Sequence, residues 1–110
     1  MGADDFRFIE RRIAQQAARQ EFRVTQHAQQ EMAEEDILLS DVLEALQRGN
    51  VLEHYPEHRR GPCCLVCGYT ETRRPLHVVC TTEQPLLILI TVYEPKPPKW
   101  ETPARRGLRP

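Results

Sequence analysis

The sequence predicts an α+β domain with N-terminal helices packed on one face of a roughly four-stranded antiparallel sheet. Three observations predict it. Apolar residues recur at spacings of three and four before residue 50, and the period changes after it. The later segments are joined by short polar connections, which favours antiparallel neighbours. Pro85-Leu-Leu-Ile-Leu-Ile-Thr-Val-Tyr-Glu-Pro95 is a short apolar run bounded by prolines. It reads as the central strand of the sheet, buried on both faces.

The elements follow in order. Asp4 or Asp5 caps a helix running to Gln20, with Phe6, Ile9, Ile13 and Ala17 as its apolar stripe. The stripe is narrow, so residues 1–21 read as a helix for docking or oligomerisation. Glu21 to Thr25 is a short extended piece. Thr25 is a good N-cap for a second helix, Gln26 to about Glu35. Leu39, Val42, Leu43 and Leu46 mark a third, Leu39 to Arg48, with Gly49 as its stop. Strands are expected at 51–55, 63–70, 75–82 and within 85–95, separated by the charged loop 57–62 and the turns 71–74 and 83–84. Residues 22–95 thus form the α+β domain. Residues 96–110 are a Pro-rich basic tail, expected to be flexible, from which Trp100 could dock back on the sheet.

Composition narrows the function classes. A chain of 110 residues with 40% hydrophobic and 28% charged residues reads as one soluble globular domain. No apolar run approaches the roughly 18 residues of a membrane span, and the N-terminus has no apolar core of a signal peptide. The expected compartment is the cytoplasm, where the four cysteines are thiols. A net charge of −1 makes no general case for nucleic acid. Its distribution is uneven: residues 1–50 carry six Arg/Lys against ten Asp/Glu, and residues 51–110 carry nine against six. A basic side on a neutral protein suits phosphates or an acidic protein partner.

Candidate chemistry lies in a few places. His27 and Glu31 are one helical turn apart, so the carboxylate can orient the imidazole and raise its pKa for acid–base work. Two polar residues on a helix face are more often simply solvated. His77 stands inside the apolar strand Leu76-His-Val-Val-Cys80. A register placing it opposite Thr91 puts His77, Thr91 and Tyr93 on one face, whereas a slip of one residue separates them. Arg59, Arg60 and Lys96, at strand ends, can hold a phosphate. Cys64-x-x-Cys67 has zinc-knuckle spacing, but on a strand that spacing points the two thiols to opposite faces. Buried free cysteine is the better reading, so no metal site is assigned.

Six segments together resemble a bacterial domain of unknown function: Thr25-Gln-His27-Ala-x-x-x-Met32, Ile37…Asp41-Val42-Leu-x-x-Leu46-x-x-Gly49, Glu53-x-Tyr55-Pro56, Leu65-Val-x-Gly68, Arg74-Pro-Leu-His77-Val-Val and Ile90-Thr-Val-Tyr93-Glu-Pro95. That family is grouped with the RelE-like and BrnT-like toxin folds of the barnase–colicin–RelE class. The resemblance implies helices against an antiparallel sheet, a toxin of a type II toxin–antitoxin pair, cleavage of messenger RNA without metal or cofactor, and a small zinc-finger antitoxin as partner. The catalytic set would be His27 with Glu31 as base and His77 or Tyr93 as acid. Arg59, Arg60, Lys96 and Thr91 would bind substrate. One departure matters: many members have arginine where this chain has Glu31, and a carboxylate cannot stabilise a phosphorane. A non-catalytic protein-binding module of the same fold is therefore the rival reading, with zinc binding through the cysteines as a third.

Overall fold

The computed structural model describes residues 6–107. Within this range three helices pack against a five-stranded mixed sheet, and a small two-stranded sheet completes the described fold. Among the described residues no helix is long and apolar enough to cross a membrane.

Helix α1 (Arg7–Ala18) buries Ile13 and Ala17, with Phe6 and Ile9 at the margin of the core. The expected cap at Asp4 or Asp5 lies outside the described residues. Helix α1 does not project from the body. It lies against α3 (Leu39–Gln47), and its Gln16 amide donates to the carbonyls of Gln84 and Pro85 at 3.1 and 3.0 Å. Gln20, at φ 60°, then turns the chain into β1 (Phe22–Val24).

The extended piece at 22–24 changes the sheet from the expected four antiparallel strands to five mixed ones. Strand β1 pairs in parallel with β5 (Leu87–Tyr93), Phe22 opposite Leu87 and Val24 opposite Leu89. A three-residue alternation carries too little pattern to announce a strand, and its partner lies more than 60 residues away. Strands β2 (Asn50–Tyr55), β3 (Cys63–Tyr69), β4 (Pro75–Thr81) and β5 are antiparallel neighbours, and the full order is β1-β5-β4-β3-β2. The central strand is therefore β4, not the Pro-bounded run. In β5 only Leu87, Leu89 and Val92 are buried, and the residues between them are half-exposed. One face of that strand packs on the helices. The other is only partly covered.

The core lies between the helices and the near face of the sheet. Leu76, Val78 and Cys80 of β4, Cys64 and Val66 of β3, and Leu87, Leu89 and Val92 of β5 pack with Ile13, Ala28, Val42, Ala45 and Leu46. Strand alternation puts His77 and Val79 on the far face. Cys64 faces the helices and Cys67 pairs with His77 on the far face, so the two thiols of the Cys-x-x-Cys diverge.

Helix α2 (Gln26–Glu34) closes an open edge. Strand β1 ends at Val24, leaving the second half of β5 unpaired on that side. Thr25 caps α2 by accepting from Ala28 N at 3.1 Å, and its hydroxyl donates to Ile90 O. Farther along α2 and at its C-cap, Glu31 accepts from Val92 N at 2.9 Å and Glu35 accepts from Glu94 N at 3.0 Å. Two carboxylates thus satisfy amides that a further strand would otherwise pair. Arg74 joins this corner, donating to Glu94 at 2.6 Å and to the carbonyls of Glu35 and Asp36 at the end of α2.

The tail is folded as far as it is described. Trp100–Thr102 (β6) and Arg105–Arg106 (β7) form a hairpin on the far face of the sheet. Trp100 is 3% exposed. Burying an indole against the sheet outweighs the low folding propensity of a Pro-rich segment.

Candidate functional site

Two places on the molecule gather polar chemistry. The first is the far face of the sheet beneath the hairpin. His77 lies directly opposite Tyr93, with Thr91 two residues back opposite Val79. The half-exposed Thr91 shares their strand face but makes no bond to His77.

His77 is fully buried and both ring nitrogens are engaged. Nε2 lies 2.6 Å from Pro103 O and Nδ1 lies 3.1 Å from the Tyr93 hydroxyl. A carbonyl only accepts, so Nε2 carries the hydrogen; in the neutral ring Nδ1 then accepts from Tyr93. Burial pulls the His77 pKa below the usual 6.5, aided by Lys99 and Arg106 and opposed by the Pro103 carbonyl and Glu53. Burial likewise raises the Tyr93 pKa, so its hydroxyl keeps its proton. Trp100 stacks edge-on against His77, ring centroids 4.4 Å apart. Its indole N–H lies close enough to the Tyr93 hydroxyl to oppose that rise, without forming a full hydrogen bond.

Around this centre Arg106 makes a two-pronged bond to Glu53, at 2.6 and 2.7 Å, and covers Trp100 at 4.8 Å. Tyr55 donates to the same carboxylate. Arg106 holds the Glu53 carboxyl below its usual range, while burial and the Glu53 hydrogen bond push Tyr55 above its own. Lys99 Nζ sits 5.5 Å from the Tyr93 ring centroid.

This network makes stability depend on pH. A protonated His77 ring cannot accept from Tyr93. Its folded pKa is depressed, so the unfolded chain takes up the proton first. Full stability is expected above about pH 6.5, with a decline as pH falls toward the lower folded value. Urea midpoints measured across that window should fall with pH, and His77→Gln should remove the part of the slope that this ring causes. An unchanged slope in the variant would contradict the assignment.

The second place is a cleft of about 640 Å³ at the opposite end of β5, where β1, the start of α2, the 56–62 loop and the β4–β5 turn meet. Arg23 and Arg60, both exposed, stand over it with Thr25, Gln26 and Gln84, above a floor that includes Pro85, Leu86 and Ile88. Arg60 is placed by its backbone: its N–H donates to His58 Nδ1 and its carbonyl accepts from the Gln84 side chain.

The sequence-derived candidates divide between these places. His27 follows Gln26 on α2, its side chain 65% exposed and its Nε2 3.3 Å from Glu31. The Glu31 oxygen nearest His27 also accepts from Val92 N, so this carboxylate serves the sheet edge. His77 and Tyr93 are together on the far face, where the His77 ring bonds Tyr93 and Pro103 rather than His27. Arg60 lines the cleft, whereas Arg59 is exposed beside it in sequence without lining it. Lys96 is exposed and acts through its backbone, its carbonyl accepting from Trp100 N at the base of the hairpin.

Sequence reasoning missed Arg23, Glu53, Tyr55 and Arg106 as site residues. Glu53 and Tyr55 are two apart on a strand, a spacing that puts both on one face. Nothing local tells that this face meets Arg106, 53 residues away.

A family model described as Domain of unknown function (DUF4258) matches residues 24–94. No curated protein and no solved structure matches the chain. The matched stretch runs from the end of β1 through β5, so it holds Glu31, Arg60, His77 and Tyr93 and leaves out α1 and the C-terminal hairpin. Because that stretch covers well over half of the sequence, the chain belongs to this family of unknown function.

Proposed function

We propose that the protein is a RelE/BrnT-like toxin module that holds RNA in the Arg23–Arg60 cleft, with His27 as the group that acts on it. The observation that carries this reading is the cleft. It brings two guanidiniums from points 37 positions apart over an apolar floor, with the side-chain amides of Gln26 and Gln84 beside them. Guanidiniums suit backbone phosphates, and an apolar floor suits ribose and base. His27, next to the lining residue Gln26, is exposed and able to take the proton of a 2′-hydroxyl as its oxygen attacks the adjacent phosphorus, the 5′-oxygen leaving with a proton from water or from the imidazolium. Glu31 orients it at most weakly, being engaged by the backbone. His77 and Tyr93 have no part in this step. The six sequence segments and the helix-on-sheet layering support the toxin class, and a small zinc-finger antitoxin is the partner that class implies.

A second reading, a non-catalytic protein-binding module, is favoured by one observation. The acid–base set expected from sequence does not assemble, since Glu31 and His77 are both engaged within the fold. Fluorescence anisotropy with labelled single-stranded RNA tests the first reading. Arg23→Glu or Arg60→Glu is expected to weaken binding about tenfold and to flatten its salt dependence by about 0.7 per lost phosphate contact. His27→Ala should bind RNA as the wild type does but fail to cut it. Absence of RNA binding by the wild type would sink the RNA reading. Binding without cleavage by either protein would leave a binding module.

A further inference from the structure

A strand longer than the cleft has to leave it across the surface. We propose that the cleft is one end of a continuous cationic track that crosses α1 and holds single-stranded RNA, with Phe8 as a stacking platform for a base. This inference rests on the RNA reading above and deepens it.

Shared residues connect the track. Gln84 lines the cleft, and its carbonyl accepts from Arg12 Nη2 at 2.8 Å. Arg12, with Phe8, Arg11 and Gln15, lines a second depression of about 330 Å³. Arg11 also lines a third, of about 220 Å³, where the start of α1 meets the end of α3 and where Arg48, Gln47 and Asn50 stand. Each depression therefore hands on to the next through a common side chain or a hydrogen bond.

Charge follows the same line. Helix α1 carries Arg7, Arg11 and Arg12 against a single carboxylate, Glu10. Glu10 Oε2 accepts from Val51 N at 2.8 Å, which ties it to β2. Three further acids are held elsewhere, Glu31 and Glu35 against β5 and Glu53 against Arg106. The acidic first half of the sequence contributes Arg11, Arg23 and Arg48 to the same basic surface as Arg60.

Phe8 supplies the second kind of contact. It is 70% exposed, the most exposed large apolar residue of the described chain, and the core makes no use of it. An aromatic ring between guanidiniums is the arrangement that holds single-stranded nucleic acid: cations track the backbone and a base stacks on the ring.

The test compares two labelled RNAs on the full chain, one of about three nucleotides that fills the cleft and one of about twelve that runs the track. The longer RNA is expected to bind at least about tenfold more tightly. Phe8→Ala should weaken the longer RNA about fivefold or more and leave the shorter one unchanged, while Phe8→Trp should retain the affinity. Arg11→Glu should lower the salt dependence for the longer RNA alone. Both side chains are exposed, and a matching thermal midpoint will show that the variants fold. If both RNAs bind with equal affinity, or Phe8→Ala leaves the longer one unaffected, the track is wrong while the cleft reading stands. If neither binds, both fail. A Glu-rich peptide that binds the α1 face when the longer RNA does not would assign that face to a protein and overturn the track.

Discussion

Gly68→Ala is expected to lower stability by about 3 kcal/mol or to prevent folding, although it adds one methyl group. Helix α3 lies so close to β3 that a Cβ at position 68 would stand 1.9 Å from Ala45 O and 2.6 Å from Ala45 C. Both are backbone atoms of a helix already held by Val42, Ala45 and Leu46 in the core, so no side chain can turn aside. Gly68 does not have a positive φ, so strain from that source is not involved. Gly49 makes the complementary contact from the loop after α3, where a Cβ would meet Val66 Cγ1 at 2.4 Å. It reads in sequence as a helix stop, but its role here is close approach. Urea denaturation of Gly68→Ala tests the argument. A midpoint equal to that of the wild type would mean that α3 can slide, and the packing account would be wrong.

Trp100→Ala is expected to release the C-terminal hairpin while the rest of the domain stays folded. Removing a buried indole costs about 3–5 kcal/mol. The ties between hairpin and sheet are side-chain ties: the His77–Pro103 bond, the Trp100 stack on His77 and the Arg106–Glu53 pair. Of these, the ion pair is substantially exposed and adds little by itself. With Trp100 gone, the remaining contacts are too few to hold the hairpin, and His77, Tyr93 and Tyr55 become open to water. Limited trypsin digestion should then cut the tail at Lys99, Arg105 and Arg106 much faster than in the wild type. Far-ultraviolet circular dichroism should meanwhile retain the helical signal. Equal protection of the tail in both proteins would show that other contacts hold it.

Release of the hairpin would also separate two roles for His77. If its depressed pKa comes from burial, opening the hairpin should return the ring toward its usual value of 6.5. Arg106→Ala makes a milder version of the same change, since it removes the Glu53 pair and leaves the indole in place.

Much of the helical half was legible because helices are written locally. The three- and four-residue spacings around Ile13, Val42 and Leu46, and the Thr25 cap, each lie within one turn or two. The antiparallel strands after residue 50 were legible for a similar reason, as short turns leave few ways to connect them. The site was less legible. Glu31 looked like a partner for His27, and that contact exists, but the same oxygen closes the edge of β5. His77 and Tyr93 do share a face, yet only the observed register sets them opposite one another.

The sequence by itself determined the class of the three helices and of β2 to β5, the core stripe of each helix and the divergence of Cys64 and Cys67, because these depend on the period of a short stretch of chain. Tertiary structure decided the parallel strand β1, the central place of β4, the folding of the tail onto His77 and the meeting of Arg23 with Arg60. Each of these joins residues far apart in the chain. Such a pairing is chosen by which backbone groups and apolar surfaces remain unsatisfied once the local elements have formed, and no local pattern records that remainder.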